Sequence, residues 1–258
     1  MKKELFVKDI MVKPTTISKS AKITEALDKM LAEGIDPLIA LNNTTVVGTV
    51  SRQAIAEKLG SRQNSVLAPA AIHVASVVAE DFTSVYPDES INVLVPLLQH
   101  YKIVVVYDND HKLIGQVSAG DLLKKYQPED GIDGAIENAV TIDADERVVH
   151  LRRRMLDDNI SRFVVTENDK ITGIVTETDV ATELRKFRES VRDQHQDHRI
   201  RNLLVKDIMS TPLITVDRNT HVSDVIDMML KKSISTVPVT DKGKLVGLVT
   251  RRSLVMAL

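Results

Sequence analysis

The stretch GIVTETD, at residues 173–179, has three relatives elsewhere in the same chain. These relatives are GTVSRQA at 48–54, GQVSAGD at 115–121 and GLVTRRS at 247–253. Each phrase begins with a glycine and carries Ser or Thr three residues later, but only two of the four end in Asp. Such self-similarity along one chain predicts a fold built from a repeated unit.

A helical pattern precedes each phrase. VKDIM occurs at 7–11 and again at 205–209, and downstream of it apolar residues recur at i, i+3, i+4, i+7 and i+8, the period of a helix with one buried face. These positions are Ile23, Ala26, Leu27, Met30 and Leu31 in the first copy, and Val222, Val225, Ile226, Met229 and Leu230 in the fourth. The middle copies begin the same series with Ile91, Leu94, Val95 and Leu98, and with Val148, Leu151, Met155 and Leu156. Pro96 falls inside the second helix, where we expect it to remove a hydrogen bond and bend the helix.

A pair of short strands follows each helix. The first strands are predicted at Pro37–Leu41, Ile103–Tyr107, Phe163–Thr166 and Val237–Thr240. Polar turns typical of hairpins come next, and a second strand then leads into the glycine phrase, where a second helix begins at the Ser or Thr. The predicted unit is therefore strand–helix–strand–strand–helix. A unit of about 55 to 60 residues buries little surface alone, so the copies should pack in pairs.

The composition of the 258-residue chain, with 43% hydrophobic residues, is that of a globular protein of about one to two domains. A net charge of −2 and a pI near 6.4 give no electrostatic footprint for nucleic acid or an anionic membrane. The absence of cysteine excludes disulfides and thiolate metal sites. The N-terminus lacks the apolar core of a signal peptide, and no apolar run reaches the ~18 residues of a membrane helix. We therefore expect a cytoplasmic protein.

The Ser/Thr and Asp positions of the phrases allow two interpretations. Structurally, Thr176 and Asp179 have the spacing of a capping box at a helix N-terminus. Functionally, a helix N-terminus favours a phosphate, and an Asp one turn later can accept hydrogen bonds from both hydroxyls of a ribose. Ala54 and Ser253 replace this Asp in the first and fourth copies. The cap is thus expected four times and the ribose site only twice.

Taken together, VKDIM with a following Pro, the amphipathic helix, the strand pair and the G-h-h-[ST]-x-x-D phrase resemble CBS domains. The resemblance covers nearly the whole chain, in copies near 7–59, 72–125, 133–187 and 203–258. It implies an α/β fold in which four CBS motifs, each β-α-β-β-α, pair into two Bateman modules. We expect residues 1–125 to form the first module and 133–258 the second, with 126–132 as the linker.

In CBS domains the cleft between paired motifs can bind AMP, ADP, ATP, S-adenosylmethionine or related nucleosides. The resemblance implies that the ribose carboxylates are Asp179 and Asp121. For the Asp179 site, the resemblance implies a phosphate-side hydroxyl at Thr176, a basic phosphate contact at Arg162, and adenine contacts at Ile174, Leu213 and Ile214. For the Asp121 site, it implies the hydroxyl at Ser118, the basic contact at Lys102, and adenine contacts at Thr15 and Thr16.

Two of these assignments have alternatives. Arg162 could instead pair with Asp157 or Asp158, or serve the neighbouring cleft, and Lys102 could be a solvated lysine. The second and third copies also depart from the family pattern. They carry Val105 and Val164 where the fourth copy has the family's Pro238.

The resemblance implies a non-catalytic regulatory or sensor protein without an obligatory cofactor. Its partners would be an adenosyl compound, an unknown effector protein and a second copy in a homodimer, with no nucleic acid and no membrane. A scaffold or oligomerisation protein with vestigial clefts is the alternative. An enzyme is a further alternative that no catalytic motif supports. His195 and His198 lie on the charged connector 188–202, which is predicted to be a solvated helix, and sequence identifies no third metal ligand beside them.

Overall fold

The structure is a computed structural model, and it describes residues 4–60, 68–129, 131–190 and 202–258. His195, His198 and the rest of the connector between 191 and 201 lie outside these described residues. The predicted strand–helix–strand–strand–helix unit is present four times. We call these units repeats 1 to 4.

Repeat 1 comprises β1 (Thr16–Ser18), α1 (Ile23–Glu33), β2 (Leu38–Asn42), β3 (Thr45–Val50) and α2 (Arg52–Gly60). Repeat 2 comprises β4 (Ser84–Val85), α3 (Leu94–His100), β5 (Ile103–Tyr107), β6 (Leu113–Ser118) and α4 (Ala119–Leu123). Repeat 3 follows the short strand β7 (Ile136–Glu137) and comprises β8 (Thr141–Asp143), α5 (Val148–Asp157), β9 (Arg162–Glu167), β10 (Lys170–Thr176) and α6 (Glu177–Ser190). Repeat 4 follows α7 (Val205–Ile208) and comprises β11 (Val216–Asp217), α8 (Val222–Lys231), β12 (Thr236–Asp241), β13 (Lys244–Thr250) and α9 (Arg251–Met256). Short 3-10 turns lie at Val7–Asp9, Pro69–Ala71, Val74–Ser76, Ile91–Val93 and Ile132–Ala135.

Each repeat forms a small sheet. The sheets pair through the segment that precedes the first strand of each repeat, which we call its opening segment. Within a repeat, the first strand is parallel to the second, and the second is antiparallel to the third. The third strand then bonds to the segment that precedes the first strand of another repeat. Repeats 1 and 2 exchange such contacts reciprocally, and so do repeats 3 and 4. This is the paired α/β architecture that the sequence predicts.

The glycine of the repeated phrase is explained by this exchange. A Cβ added at Gly48 would lie 2.1 Å from the carbonyl oxygen of Ala79, and one at Gly247 would lie 2.5 Å from that of Glu137. Both oxygens belong to the opening segment of the paired repeat. The glycine is therefore required because a neighbouring backbone crosses directly over it.

The helical cores connect the two pairs. One buried cluster combines residues of repeats 1 and 3, with α2 packed against α6, and the other combines repeats 2 and 4, with α9 packed against α3 and α4. A third, smaller cluster lies between the sheets of repeats 1 and 2 and contains Ile39, Val46, Ile103 and Val105. Helical surfaces are thus shared between the predicted modules, whereas sheets meet within a pair.

Two details of the helix prediction are wrong. Leu31 and Leu156, at the i+8 positions, are 42% and 49% exposed. At 100° per residue the i+8 position lies at the margin of the apolar stripe, so it reaches solvent at the last turn. Pro96 does not interrupt a helix, because a 3-10 turn ends at Val93 and α3 begins at Leu94. Pro96 therefore lies in the first turn, where backbone N–H groups have no helical partner to lose.

Candidate functional site

Asp179 stands at the start of α6 and divides its two carboxylate oxygens between two tasks. Its Oδ2 accepts hydrogen bonds from the backbone N–H of Thr176 at 2.8 Å and from the Thr176 hydroxyl at 2.7 Å. Its Oδ1 accepts from the Ser210 hydroxyl at 2.9 Å. One oxygen therefore caps the helix, and the other faces the opening segment of repeat 4.

A cavity lies beside this carboxylate, between repeats 3 and 4. It encloses about 350 Å³ of empty space, partly open to solvent, and is lined by Ile174, Ser210, Pro212, Leu213, Ile214, Ile234, Thr236 and Pro238. Three of these residues, Ile174, Leu213 and Ile214, were predicted from sequence. Asp179 reaches the cavity wall through its hydrogen bond to Ser210.

Arg162 reaches the same cavity through the lining residue Thr236. Its guanidinium donates from Nη1 to the Thr236 hydroxyl, and from Nε and Nη2 to the Ser161 hydroxyl at 3.1 and 3.0 Å. Burial lowers the pKa of Arg162, and the carboxylate of Glu177 partly opposes this shift; the group remains a cation at neutral pH. The alternative pairing with Asp157 is not formed, since Asp157 accepts from Arg153 at 3.2 Å.

The corresponding region of repeats 1 and 2 is closed by internal bonds. Asp121 is 8% exposed, and its Oδ2 accepts from the backbone N–H and hydroxyl of Ser118 at 3.1 and 2.6 Å. Its Oδ1 accepts from the Lys124 ammonium at 3.0 Å. The buried backbone N–H of Thr15 donates to Oε1 of Gln116 at 2.9 Å. Sequence reasoning overlooked Lys124 and Gln116, although Gln116 occupies the same place in its phrase as Ile174.

Thr16 and Lys102, the other predicted contacts of the Asp121 site, are held by other parts of the fold. Thr16 lies in β1, opposite Ile39. The Lys102 ammonium donates to Asp36 at 3.0 Å and to Glu177 at 2.8 Å. Burial works to lower the pKa of Lys102, but these two carboxylates outweigh it and raise the pKa above 10.5. Lys102 is thus an ionic link between repeats 1, 2 and 3, although its side chain remains 44% exposed.

The structural interpretation of the four phrases holds at each copy. The hydroxyls of Ser51, Ser118 and Thr250 accept from the backbone N–H three residues later, at 3.2, 3.3 and 2.8 Å. In the third phrase the Asp179 carboxylate accepts from the Thr176 backbone N–H at 2.8 Å. Where Asp is replaced by Ser253, the Ser253 hydroxyl accepts from the backbone N–H of Thr250 at 2.9 Å. A cap is therefore formed with or without the carboxylate.

A second cavity of about 350 Å³ lies where helices of repeats 1 and 3 meet. None of the ligand-binding residues predicted from sequence lines it. Its lining includes apolar and polar side chains and consists of Gln53, Ala56, Glu57, Arg152, Met155, Leu156, Ile160, Ser161, Glu177 and Val180.

Over residues 4–60, 68–129, 131–190 and 202–258, no three His, Cys, Asp or Glu side chains are grouped so as to hold a metal ion. Over the same ranges, no helix combines the length and the apolar character needed to cross a bilayer.

Comparison with known proteins identifies the repeated unit. The family model described as "CBS domain" matches residues 7–61, 74–127, 134–186 and 205–258. Among solved structures, protein MJ1225 from Methanocaldococcus jannaschii aligns over 97% of this chain and 99% of its own, with a TM-score of 0.79 and 21% identity. That protein has been put forward as an archaeal homolog of g-AMPK. At this identity the likeness shows the fold.

Two curated relatives are uncharacterized proteins. MK0525 from Methanopyrus kandleri is 30% identical over 122 residues, which is 46% of this chain and 58% of the relative. MJ1404 from Methanocaldococcus jannaschii is 23% identical over 272 residues, which is 98% of this chain and 60% of the relative. The chain therefore spans about three fifths of the length of these relatives.

Proposed function

Because this chain belongs to the CBS-domain family, we propose that it is a non-catalytic regulatory protein that binds an adenine nucleotide or a related adenosyl compound. The ligand binds reversibly in the cleft between repeats 3 and 4. The observation that carries this proposal is the cavity whose lining residues Ser210 and Thr236 are bonded to Asp179 and Arg162.

The lining of this cavity fits the parts of an adenosyl compound. Ile174 and Ile214 offer apolar surface to the faces of a purine. A ribose can displace the Ser210 hydroxyl from Asp179, so that a carboxylate oxygen accepts from the sugar diol. The N-terminus of α6, with the Arg162 guanidinium nearby, favours an anionic phosphate.

The ion pairs at the start of α6 supply a route from the ligand to the rest of the molecule. Glu177 follows Thr176 directly and binds Lys102 of repeat 2, which also binds Asp36 of repeat 1. A ligand at the α6 N-terminus therefore adjoins a contact that joins three repeats. Binding shifts the arrangement of the repeats only to the extent that the ligand prefers one arrangement. An effector protein senses that shift; the homodimer and the cytoplasmic location are part of the same proposal.

Thermal denaturation with AMP, ADP, ATP or S-adenosylmethionine tests the proposal. A ligand at about 100 times its Kd adds about 2.7 kcal/mol to the free energy of unfolding, which corresponds to a rise in Tm of roughly 5–10 °C for a chain of this size. In Asp179→Asn the affinity should fall about tenfold to a hundredfold. The ligand-free variant should remain folded, since an amide still has an oxygen that accepts from the Thr176 N–H.

The scaffold function is the second candidate, and the internal bonding of Asp121 favours it, because both oxygens of that carboxylate are already used. On that reading the charged contacts serve only to hold the repeats together. An unchanged Tm with all four compounds at millimolar concentration would contradict the sensor proposal for these ligands and favour the scaffold.

A further inference from the structure

Gln116 lies where repeats 1 and 2 pair, at the place that corresponds to the cavity wall between repeats 3 and 4. We call the region between repeats 1 and 2 the first cleft and the cavity between repeats 3 and 4 the second cleft. The side chain lies on β6 and is 2% exposed, and its Oε1 accepts from the backbone N–H of Thr15 at 2.9 Å. The carbonyl of Thr15 is also used, because it accepts from the backbone N–H of Ile39 at 3.0 Å. Both backbone groups at the predicted adenine position of this cleft therefore have partners within the chain.

A carboxamide is a chemical substitute for the edge of adenine. The Gln116 side chain carries an acceptor oxygen beside a donor NH₂ group, and adenine carries the acceptor N1 beside the donor amino group at C6. An N–H of the opening segment that could donate to the base donates here to Gln116 instead. The interaction needs no ligand, because the residue is part of the strand that forms the cleft wall.

The second cleft lacks both of these internal bonds. Its counterpart of Gln116 is the apolar Ile174, as shown by the matching bridges Val12↔Gln116 and Ser210↔Ile174. By strand register, Pro238 stands where Ile39 stands in repeat 1. Proline has no N–H to donate to the opening segment. In repeats 2 and 3, by contrast, Val105 and Val164 make this bond at 3.0 and 2.9 Å.

The opening segment of repeat 4 is consequently released from its sheet. Its strand β11 begins only at Val216, and Leu213 and Ile214 line the cavity. Among residues 4–60, 68–129, 131–190 and 202–258, no hydrogen-bond partner is found for the backbone N–H of Leu213 or Ile214. Unpaired backbone groups beside a cavity are the counterpart of the Thr15 N–H that Gln116 satisfies.

We infer that Gln116 is a built-in occupant of the first cleft and sets the stoichiometry of the chain at one ligand, bound between repeats 3 and 4. The inference rests on the proposed function and adds to it which cleft is open and why. The Lys124–Asp121 ion pair does not close the first cleft by itself, because the Lys124 side chain is 52% exposed and a ribose can displace it from the carboxylate.

A reciprocal exchange of side chains tests the inference. Isothermal titration with AMP, ADP, ATP and S-adenosylmethionine should give one ligand per wild-type chain. Gln116→Ile frees the Thr15 N–H and should raise the stoichiometry to two, and the added site should disappear in Gln116→Ile/Asp121→Asn. Ile174→Gln places the amide in the second cleft and should lower its affinity at least tenfold.

Each result separates this inference from the function on which it rests. A wild-type chain that binds two ligands, or Gln116→Ile with a single site, overturns the role of Gln116 and leaves the sensor function standing. A wild-type chain that binds none of the four compounds overturns the proposed function itself. If Gln116→Ile does not fold, the wild-type stoichiometry and Ile174→Gln decide, because unchanged affinity in Ile174→Gln contradicts the inference.

Discussion

Replacement of Lys102 by methionine is the sharpest test of how the repeats are held together. The side chain of Lys102 is 44% exposed, but those of its partners Asp36 and Glu177 are only 14% and 12% exposed. The second oxygen of Glu177 is buried and has no hydrogen-bond partner within the described residues. Lys102→Met keeps most of the volume of the side chain and leaves two poorly solvated carboxylates without their shared cation.

The magnitude follows from the burial of the partners. Removing one member of a buried ion pair costs about 3–5 kcal/mol, and solvent access to the Lys102 ammonium reduces this to about 1–2 kcal/mol. For a chain of this size the Tm should fall by roughly 2–8 °C. Urea unfolding of the ligand-free protein at pH 7, followed by circular dichroism, measures the change directly.

The chain provides a matched control in Lys8. Its ammonium lies 2.7 Å from Asp88, but both side chains are well exposed, at 51% and 81%. Lys8→Met should therefore lose much less stability than Lys102→Met, since exposed pairs contribute little. Adding Glu177→Gln to Lys102→Met should recover part of the loss, because it removes an unpaired buried charge. Equal losses in the two lysine variants, or no recovery in the double variant, would refute the reasoning.

Three further predictions concern the frame around the sites. The difference in free energy of unfolding between wild type and Lys102→Met should be constant from pH 7 to about 10 and shrink above 10.5. The pKa of Lys102 is raised in the folded state, so its contribution to stability is lost only as the pH rises through that pKa. A difference that shrinks below pH 9 would contradict this. Gly48→Ala should destabilise the fold by about 1–3 kcal/mol or more, since the new Cβ would meet the Ala79 carbonyl, whereas Gly134→Ala meets nothing within 4 Å and should be tolerated; equal melting temperatures would count against the crossing backbone. Thr250→Ala removes a buried helix cap and should cost about 1–2 kcal/mol in urea unfolding, and a loss below a few tenths of a kcal/mol would show that the cap is dispensable.

The repeated unit and much of one cleft could be read from the sequence, because local patterns determine them. The alternation of helical and strand periods indicated the first helix and the two hairpin strands of each repeat, and β5 begins and ends where it was predicted. Within the open cleft, Ile174, Leu213 and Ile214 were assigned through the resemblance to CBS domains, and all three line the cavity. Whether they contact a ligand remains a prediction.

What sequence could not supply depends on contacts between distant segments. An apolar helix stripe has the same pattern whichever helix covers it, so the packing of α2 on α6 had no local signal. Lys102 was assigned to a phosphate by its position in the repeat, but its two partners lie 66 and 75 residues away in the chain. Gln116 looked like one polar residue in a strand, and its partner at Thr15 is 101 residues away.

The two cross-pair helical cores have a consequence for dividing the gene. Residues 4–125 alone would expose the faces of α2 and α4 that α6 and α9 cover in the full chain. Because the repeats are alike, a second copy of the same fragment offers substitute helices of the right shape. Such a fragment should self-associate in solution. In the intact chain, the two halves that would associate in this way are parts of one polypeptide.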